Sequence, residues 1–422
     1  MKILVVGGGG REHALAWKLA NDSTHPEVFC APGNAGTAGL GTNLDIAAAD
    51  VDKLLAWAKA HKPALTVVGP EVPLCDGIAD HFSAEGLKVF GPCRAAARLE
   101  GSKVFAKEIM VAAGVPTAKF ARFSSAAEAK AYIRKEGAPI VIKADGLAAG
   151  KGVTVAATVE QAEAAVAEAL VQKMFGAAGA TVVVEECLQG EEASILALID
   201  GRNIVMLASS QDHKRVFDQD KGPNTGGMGA YSPAPVVNEN LWPVIRGQVF
   251  ERTLRELNKR GIDYHGVLYA GLMMTEAGPK VLEFNCRFGD PETQAILPRW
   301  DGDLFPALEA CADGRLDEKM VRWKSEHCVC VVMAAGGYPG NYKKGDIIEG
   351  LAEAAALKDV VIFHAGTKRT DGHVTTAGGR VLGVTALGRD LRAAVDRAYE
   401  AAEKIRFAKA HFRRDIAARA LR

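Results

Sequence analysis

Net charge is missing from this chain: lysine plus arginine and aspartate plus glutamate number 51 each among its 422 residues. A nucleic-acid binder usually carries a positive excess, so no nucleic acid is expected as a partner. Any anionic ligand has to be held by local cations. Long apolar runs are missing too, since none approaches the ~20 residues that span a bilayer, and no membrane association is expected. Residues 1–6 run straight into a glycine turn, without the layout of a signal peptide. The eight cysteines include no CxxC pair, and reduced core thiols in a cytoplasmic protein are the expected state. Two nucleotide signatures are absent as well. No G-x-x-x-x-G-K-[ST] occurs, and the turn Gly7-Gly8-Gly9-Gly10 fails the dinucleotide pattern because Glu12 stands where its last glycine would be. A nicotinamide oxidoreductase built on this turn is thereby disfavoured.

What is present is a chain long enough, at 48% hydrophobic residues, to bury several cores. Short apolar runs at 2–6, 28–30, 65–69 and 87–91 alternate with helical spacing at 11–19, 50–61 and 76–85, which predicts a parallel, doubly wound sheet. A helix over about 102–113 stops at Gly114-Val115-Pro116. The first boundary therefore falls near residue 101. A small α+β unit is expected over 117–192, with strands near 139–144, 152–156 and 181–186 and a helix at 159–172. Strands at 194–200, 203–210, 266–275 and 280–285 then make a larger antiparallel sheet, accompanied by a long helix near 239–260. From about 326, two apolar runs and a helix at 389–405 form the last region. The divisions are 1–101, 102–325 and 326–422, a multidomain α/β and α+β chain with a Rossmann-like first domain and a small β-rich last one.

Several clusters carry chemistry. The glycine turn lets backbone N–H groups of Gly9 approach an anion at a helix N-terminus, with Arg11 beside it. Lys143 ends an apolar strand, where an unpartnered ammonium is costly, so it is expected to meet an anion. The small-residue loop after it carries Lys151 and has the composition of a lid over polyphosphate. The strand end at 182–188 offers backbone groups to a base edge, with carboxylates following at Glu191 and Glu192. Glu283 and Asn285 share one strand face, two oxygen ligands suited to a hard cation that bridges phosphates. Arg287 is placed to neutralise a transferring phosphoryl group. Two polar loops, residues 209–215 and 222–231, interrupt apolar texture and suit close substrate approach. His213 alone reads as structural.

Together these motifs resemble the phosphoribosylamine–glycine ligase family of the ATP-grasp superfamily. The residues that carry the resemblance are Gly8-Gly9-Gly10-Arg11-Glu12-His13-Ala14, the run from Ile142 to Val153, Ser210-Gln211-Asp212-His213-Lys214-Arg215, Pro223-Asn224-Thr225-Gly226-Gly227-Met228-Gly229 and Glu283-Phe284-Asn285-Cys286-Arg287-Phe288-Gly289-Asp290-Pro291-Glu292. The resemblance implies central ATP-grasp domains with a lid over 117–192, and ligation of glycine to 5-phosphoribosylamine with consumption of ATP. It implies nucleotide binding by Lys103, Lys143, Lys151, Glu185, Leu188 and Glu192, and Mg2+ or Mn2+ at Glu283 and Asn285. Catalytic roles fall to Arg287, Asp212 and Lys214. The substrates fall to Gly9, Arg11, Asp212, Asn224, Thr225, Gly226, Arg287 and Asp290. Many relatives place another metal carboxylate on the preceding strand, where this chain reads Ala270-Gly271-Leu272-Met273-Met274, which leaves the number of metal ions open. A monomer is expected, and the nearest alternative is an ATP-grasp purine enzyme using formate or bicarbonate.

Overall fold

The computed structural model describes residues 1–147 and 152–422. The first apolar run forms the strand Lys2–Gly7, buried along nearly all its length, at the centre of a five-stranded parallel sheet. Glu27–Pro32 lies on one side of it and Leu65–Val68 on the other, with Thr42–Asn43 and Val89–Phe90 at the edges. The strand order reverses beside Lys2–Gly7, so a crevice opens beyond its carboxyl end, the usual ligand position in such sheets. Here the chain fills that crevice itself. Glu12 turns inward and its carboxylate accepts the Gly9 N–H at 2.6 Å. A Cβ on Gly7 would stand 2.4 Å from Glu12 Cγ, and one on Gly69 only 2.1 Å from Glu12 Oε1. The glycines at the turn thus make room for an internal anion where a dinucleotide would put its phosphates.

Ser102 starts the helix Lys103–Ala113 by accepting the Phe105 N–H, and Gly114, at a φ of 66°, ends it. Asp145 adds a cap from the small unit: its Oδ1 accepts the Val104 N–H at 2.7 Å and the Ser102 hydroxyl at 3.0 Å. That unit is a four-stranded antiparallel sheet in the order Phe120–Phe123, Val182–Glu186, Ile140–Ala144 and Val153–Ala156, with the helices Ala126–Glu136 and Val159–Val166 packed together. Lys151 lies outside the described residues, as does most of the loop expected to form a lid.

The larger sheet is antiparallel in the order Ile204–Met206, Glu191–Asp200, His265–Thr275 and Gly278–Asn285. The strand expected over 203–210 ends early, at Met206; Gln211–Asp212 joins a different sheet. The helix expected near 239–260 is present as Leu241–Ile245, Arg246–Glu251 and Arg252–Lys259 in succession. One apolar cluster joins this sheet to the first domain, because Leu196, Leu198, Val267 and Trp300 pack with Ile3, Leu15 and Phe90.

The last sheet crosses the division at 326. Its strands run Gln211–Asp212, Gly229–Ser232, His327–Ala334, Arg380–Gly388 and Val360–His364, so two of the five come from the central segment. Gly229 pairs with Val331, and a Cβ on it would meet the Cys330 carbonyl at 2.7 Å. The last region is thereby sewn onto the loops that precede and follow Lys214. No helix among the described residues is long and apolar enough to cross a membrane, and all eight cysteines are free.

Candidate active site

The three regions and the small sheet meet around a cleft of ≈ 560 Å³. Strand Gly278–Asn285 is its floor and brings Glu283 and Asn285 to one face, two residues apart. No hydrogen bond or ion pair from the described residues reaches the Glu283 carboxylate. Burial alone would raise its pKa, but Lys214, Lys143, Lys103 and Arg287 outweigh burial and hold it below the usual carboxylate range. Asn285 Oδ1 accepts from Arg287 Nη2 at 3.1 Å and keeps a second lone pair. One carboxylate and one carboxamide are hard oxygen donors, the set expected of Mg2+, which takes few protein ligands and completes its shell with water and phosphate. The opposite strand places Gly271 against Glu283, where a Cβ would lie 3.3 Å from Glu283 Cγ. A second carboxylate has no room there unless Glu283 moves.

Lysines line the side of the floor. Lys143 Nζ donates to the Leu282 carbonyl at 2.9 Å and pairs with Glu185 at 3.0 Å. Lys107, which the sequence did not single out, pairs with the same Glu185 oxygen at 3.2 Å and donates to Thr117 Oγ1 at 2.7 Å. Burial pushes its pKa down to about 8, against the pull of Glu185. The other Glu185 oxygen is buried without a partner. Lys103 Nζ donates to the Gly146 carbonyl at 3.1 Å, and burial lowers its pKa, with Lys143 adding to the effect and Glu283 opposing it. The site thus crowds cations at the expense of their own charge. An incoming polyphosphate reverses that penalty.

Arg287 is clamped from the first domain and its linker. Its Nη2 lies 2.7 Å from Glu100 and its Nε 3.4 Å from Glu71. Glu100 also accepts the Cys286 N–H at 2.7 Å, which fixes the chain beside the arginine. Neither acid was expected from the sequence. Across the cleft, Asp212 stands at the end of a two-residue strand and takes no hydrogen bond from the described residues. Burial pushes its pKa up to about 7; Lys214 opposes this, while Glu292, Glu192 and Glu283 add to it. Lys214 itself is tied to Glu192 at 2.7 Å.

Because the folded Asp212 binds its proton more readily than the unfolded one, the wild-type chain loses stability as pH rises from the ordinary aspartate value of 3.8 through about 7. Asp212→Asn does not titrate. The melting temperature of the ligand-free variant, relative to wild type, is therefore expected to be higher at about pH 8 than at about pH 5. An offset independent of pH would contradict this.

The remaining wall is built by the last domain. Arg380 pairs with Asp290 at 3.3 Å and donates to the Asp290 carbonyl at 2.7 Å and the Gly227 carbonyl at 3.4 Å. Burial works against Asp290, but Arg380 and Arg11 hold its pKa below the usual range. Gly226 N–H donates to the Tyr338 hydroxyl at 3.1 Å, and Thr225 Oγ1 donates to the Lys214 carbonyl at 2.8 Å. Arg11 lines the cleft with its Nη1 on the Phe288 carbonyl at 3.1 Å.

Of the residues expected from the sequence, Arg11, Lys103, Lys143, Glu185, Asp212, Lys214, Asn224, Thr225, Gly226, Glu283, Asn285, Arg287 and Asp290 share this cleft. Gly9 does not line it, because its N–H is bound to Glu12. Leu188 stays off the wall too, and Glu192 reaches the site through Lys214. His213 is structural: its Nε2 accepts the Ala417 N–H at 3.0 Å, holding the carboxyl-terminal segment.

Comparison with known proteins gives the family. The Phosphoribosylglycinamide synthetase N domain matches residues 1–100, its ATP-grasp (A) domain residues 101–293 and its C domain residues 328–419. Phosphoribosylamine–glycine ligases from Ralstonia nicotianae and Yersinia pestis are 53% and 52% identical, each aligned over 100% of this chain and over 100% and 99% of their own lengths. The crystal structure of the Thermotoga maritima phosphoribosylamine–glycine ligase superposes with a TM-score of 0.87 at 37% identity, covering 99% of this chain and 100% of that one. The biotin carboxylase domain of Hydrogenobacter thermophilus 2-oxoglutarate carboxylase, solved with MgADP, shares the fold with a TM-score of 0.73 at 16% identity over 97% of this chain and 91% of that one. With all three domain types in order and half the residues identical along its whole length, the chain belongs to the phosphoribosylamine–glycine ligase family of ATP-grasp enzymes.

Proposed function

We propose that the chain joins glycine to 5-phosphoribosylamine, giving glycinamide ribonucleotide, ADP and phosphate through glycyl phosphate, as a cytoplasmic monomer acting in purine biosynthesis. The observation that carries the reading is the cation-lined floor around Glu283 and Asn285, facing an Asp212 carboxylate that has no ion pair among the described residues. A carboxylate resists attack by an amine, so it has to be activated first. In this reading the adenine edge lies along Glu185 to Leu188, Glu192 takes the ribose, and Lys103 and Lys143 hold the phosphates. Lys151, outside the described residues, is assigned to the phosphates by family resemblance. Glu283 and Asn285 would hold magnesium or manganese, which when bound would neutralise charge on the phosphates.

A glycine carboxylate oxygen bonds to the γ-phosphorus as the bond to ADP breaks. Arg287 and Lys214 face the negative charge of the group in transit, and Glu71 and Glu100 keep the guanidinium oriented. The amine nitrogen of phosphoribosylamine then bonds to the carbonyl carbon, and phosphate leaves. Asp212, able to carry a proton near neutral pH, accepts the one the nitrogen sheds. Arg11, Asn224, Thr225, Gly226 and Asp290 line the end assigned to phosphoribosylamine, which the last domain closes through Arg380. Gly9 acts there only through Glu12.

Phosphate release measured with ATP, magnesium, glycine and freshly made phosphoribosylamine, each omitted in turn, tests the reading. All four are expected to be required for full rate, with formate and bicarbonate inert in place of glycine. Efficient use of formate would overturn the substrate assignment and leave the fold untouched.

A further inference from the structure

The cations of the floor do not account for one buried carboxylate at the edge of the cleft. Glu292 opens the short helix Glu292–Ile296 and is 3% exposed, yet it has no ion-pair partner within 4.0 Å among the described residues. Its Oε1 lies 3.0 Å from the Tyr269 hydroxyl and 3.0 Å from the Ser194 hydroxyl, which are 2.9 Å from each other. Both hydroxyls can donate to Oε1, which makes that oxygen an acceptor and fixes the orientation of the side chain. Its Oε2 takes no hydrogen bond from the described residues, while the side chain lines the cleft. Gly289 leaves room for that oxygen, since a Cβ there would stand 2.4 Å from it. Arg287 and Arg380 act on Glu292 only from beyond 4.0 Å, so the oxygen that faces the cleft has room for a cationic group to pair with it directly.

Both substrates of the proposed reaction present nitrogen, but their needs differ. The amine of phosphoribosylamine has to lose a proton to react, whereas the α-ammonium of glycine stays charged from binding to release. Asp212, whose burial lets it hold a proton, suits the first. A carboxylate fixed as an acceptor by two hydroxyls suits the second. We propose that Glu292, oriented by Tyr269 and Ser194, is the receptor for the α-ammonium of the amino-acid substrate and the group that selects an amino acid over a carboxylate that has no ammonium. This rests on the reading that glycine is the acyl donor.

Glu292→Gln keeps the shape and an acceptor oxygen for both hydroxyls and removes the charge. Its KM for glycine is expected to rise about 10- to 100-fold, the range for a lost hydrogen bond to a charged group. Its kcat should fall much less, and its dissociation constant for ATP should stay unchanged. The sharper readout uses glycolate, which carries a hydroxyl in place of the ammonium. The preference for glycine over glycolate in ADP formation should shrink by the same factor as KM rises, an effect that a merely structural role would not produce. Glu292→Asp should recover part of the preference. Should Glu292→Gln fail to fold, the Tyr269→Phe and Ser194→Ala pair should move the preference in the same direction through a loosened Glu292. An unchanged KM for glycine, a parallel loss for glycine and glycolate, or a rise confined to phosphoribosylamine would each overturn the assignment alone. A wild-type protein indifferent to glycine would overturn the functional reading and this assignment with it.

Discussion

Glu283→Gln is expected to lower kcat by about 10³-fold, equivalent to about 4 kcal/mol of transition-state stabilisation. Glu283 is the one carboxylate on the floor strand that faces the phosphate lysines, and Gly271 opposite offers no substitute. Glutamine preserves volume and one oxygen but halves the claim on a divalent cation, because the remaining Asn285 is neutral. The same change removes the anion that Lys214, Lys143, Lys103 and Arg287 share. Steady-state rates at saturating ATP and magnesium, with circular dichroism as the control for folding, check this. A fall of less than about tenfold would remove Glu283 from the metal role.

Glu185→Leu carries the largest expected effect on stability, a loss of about 3–5 kcal/mol. Glu185 is 2% exposed and its Oε2 neutralises two buried lysines at once, Lys107 at 3.2 Å and Lys143 at 3.0 Å. Removing the shared acid leaves two largely buried ammonium groups side by side without their counter-charge. Lys107→Met is a milder change, because Glu185 keeps Lys143 and the lost lysine already holds its charge weakly, with a pKa of about 8. Urea unfolding of the two variants should therefore rank Glu185→Leu well below Lys107→Met. Equal midpoints would mean that the triad is not an electrostatic unit.

Local sequence carried the architecture further than it carried the site's supports. The apolar runs at 2–6 and 65–69 correctly predicted a parallel sheet, yet not that the Glu12 carboxylate itself occupies the crevice. Glu283, Asn285 and Arg287 were legible because strand alternation and a dense polar run set them together. Glu100, 186 residues before the Cys286 amide it binds, and Arg380, 90 residues after Asp290, gave no such signal. Their roles come from how the domains meet. Gly229–Ser232 reads as loop because it continues a glycine-rich run, and it becomes a strand only because His327–Ala334 supplies a partner so close that a side chain on Gly229 would not fit.

If the amino acid is phosphorylated before the amine attacks, one carboxylate oxygen of glycine has to leave with the phosphate. Glycine labelled with 18O in both carboxylate oxygens is turned over with ATP and phosphoribosylamine, and the released phosphate is analysed by mass spectrometry. Passage through glycyl phosphate predicts one 18O in each phosphate and one in the amide carbonyl. Phosphate free of label, formed in step with the amide, would contradict the account.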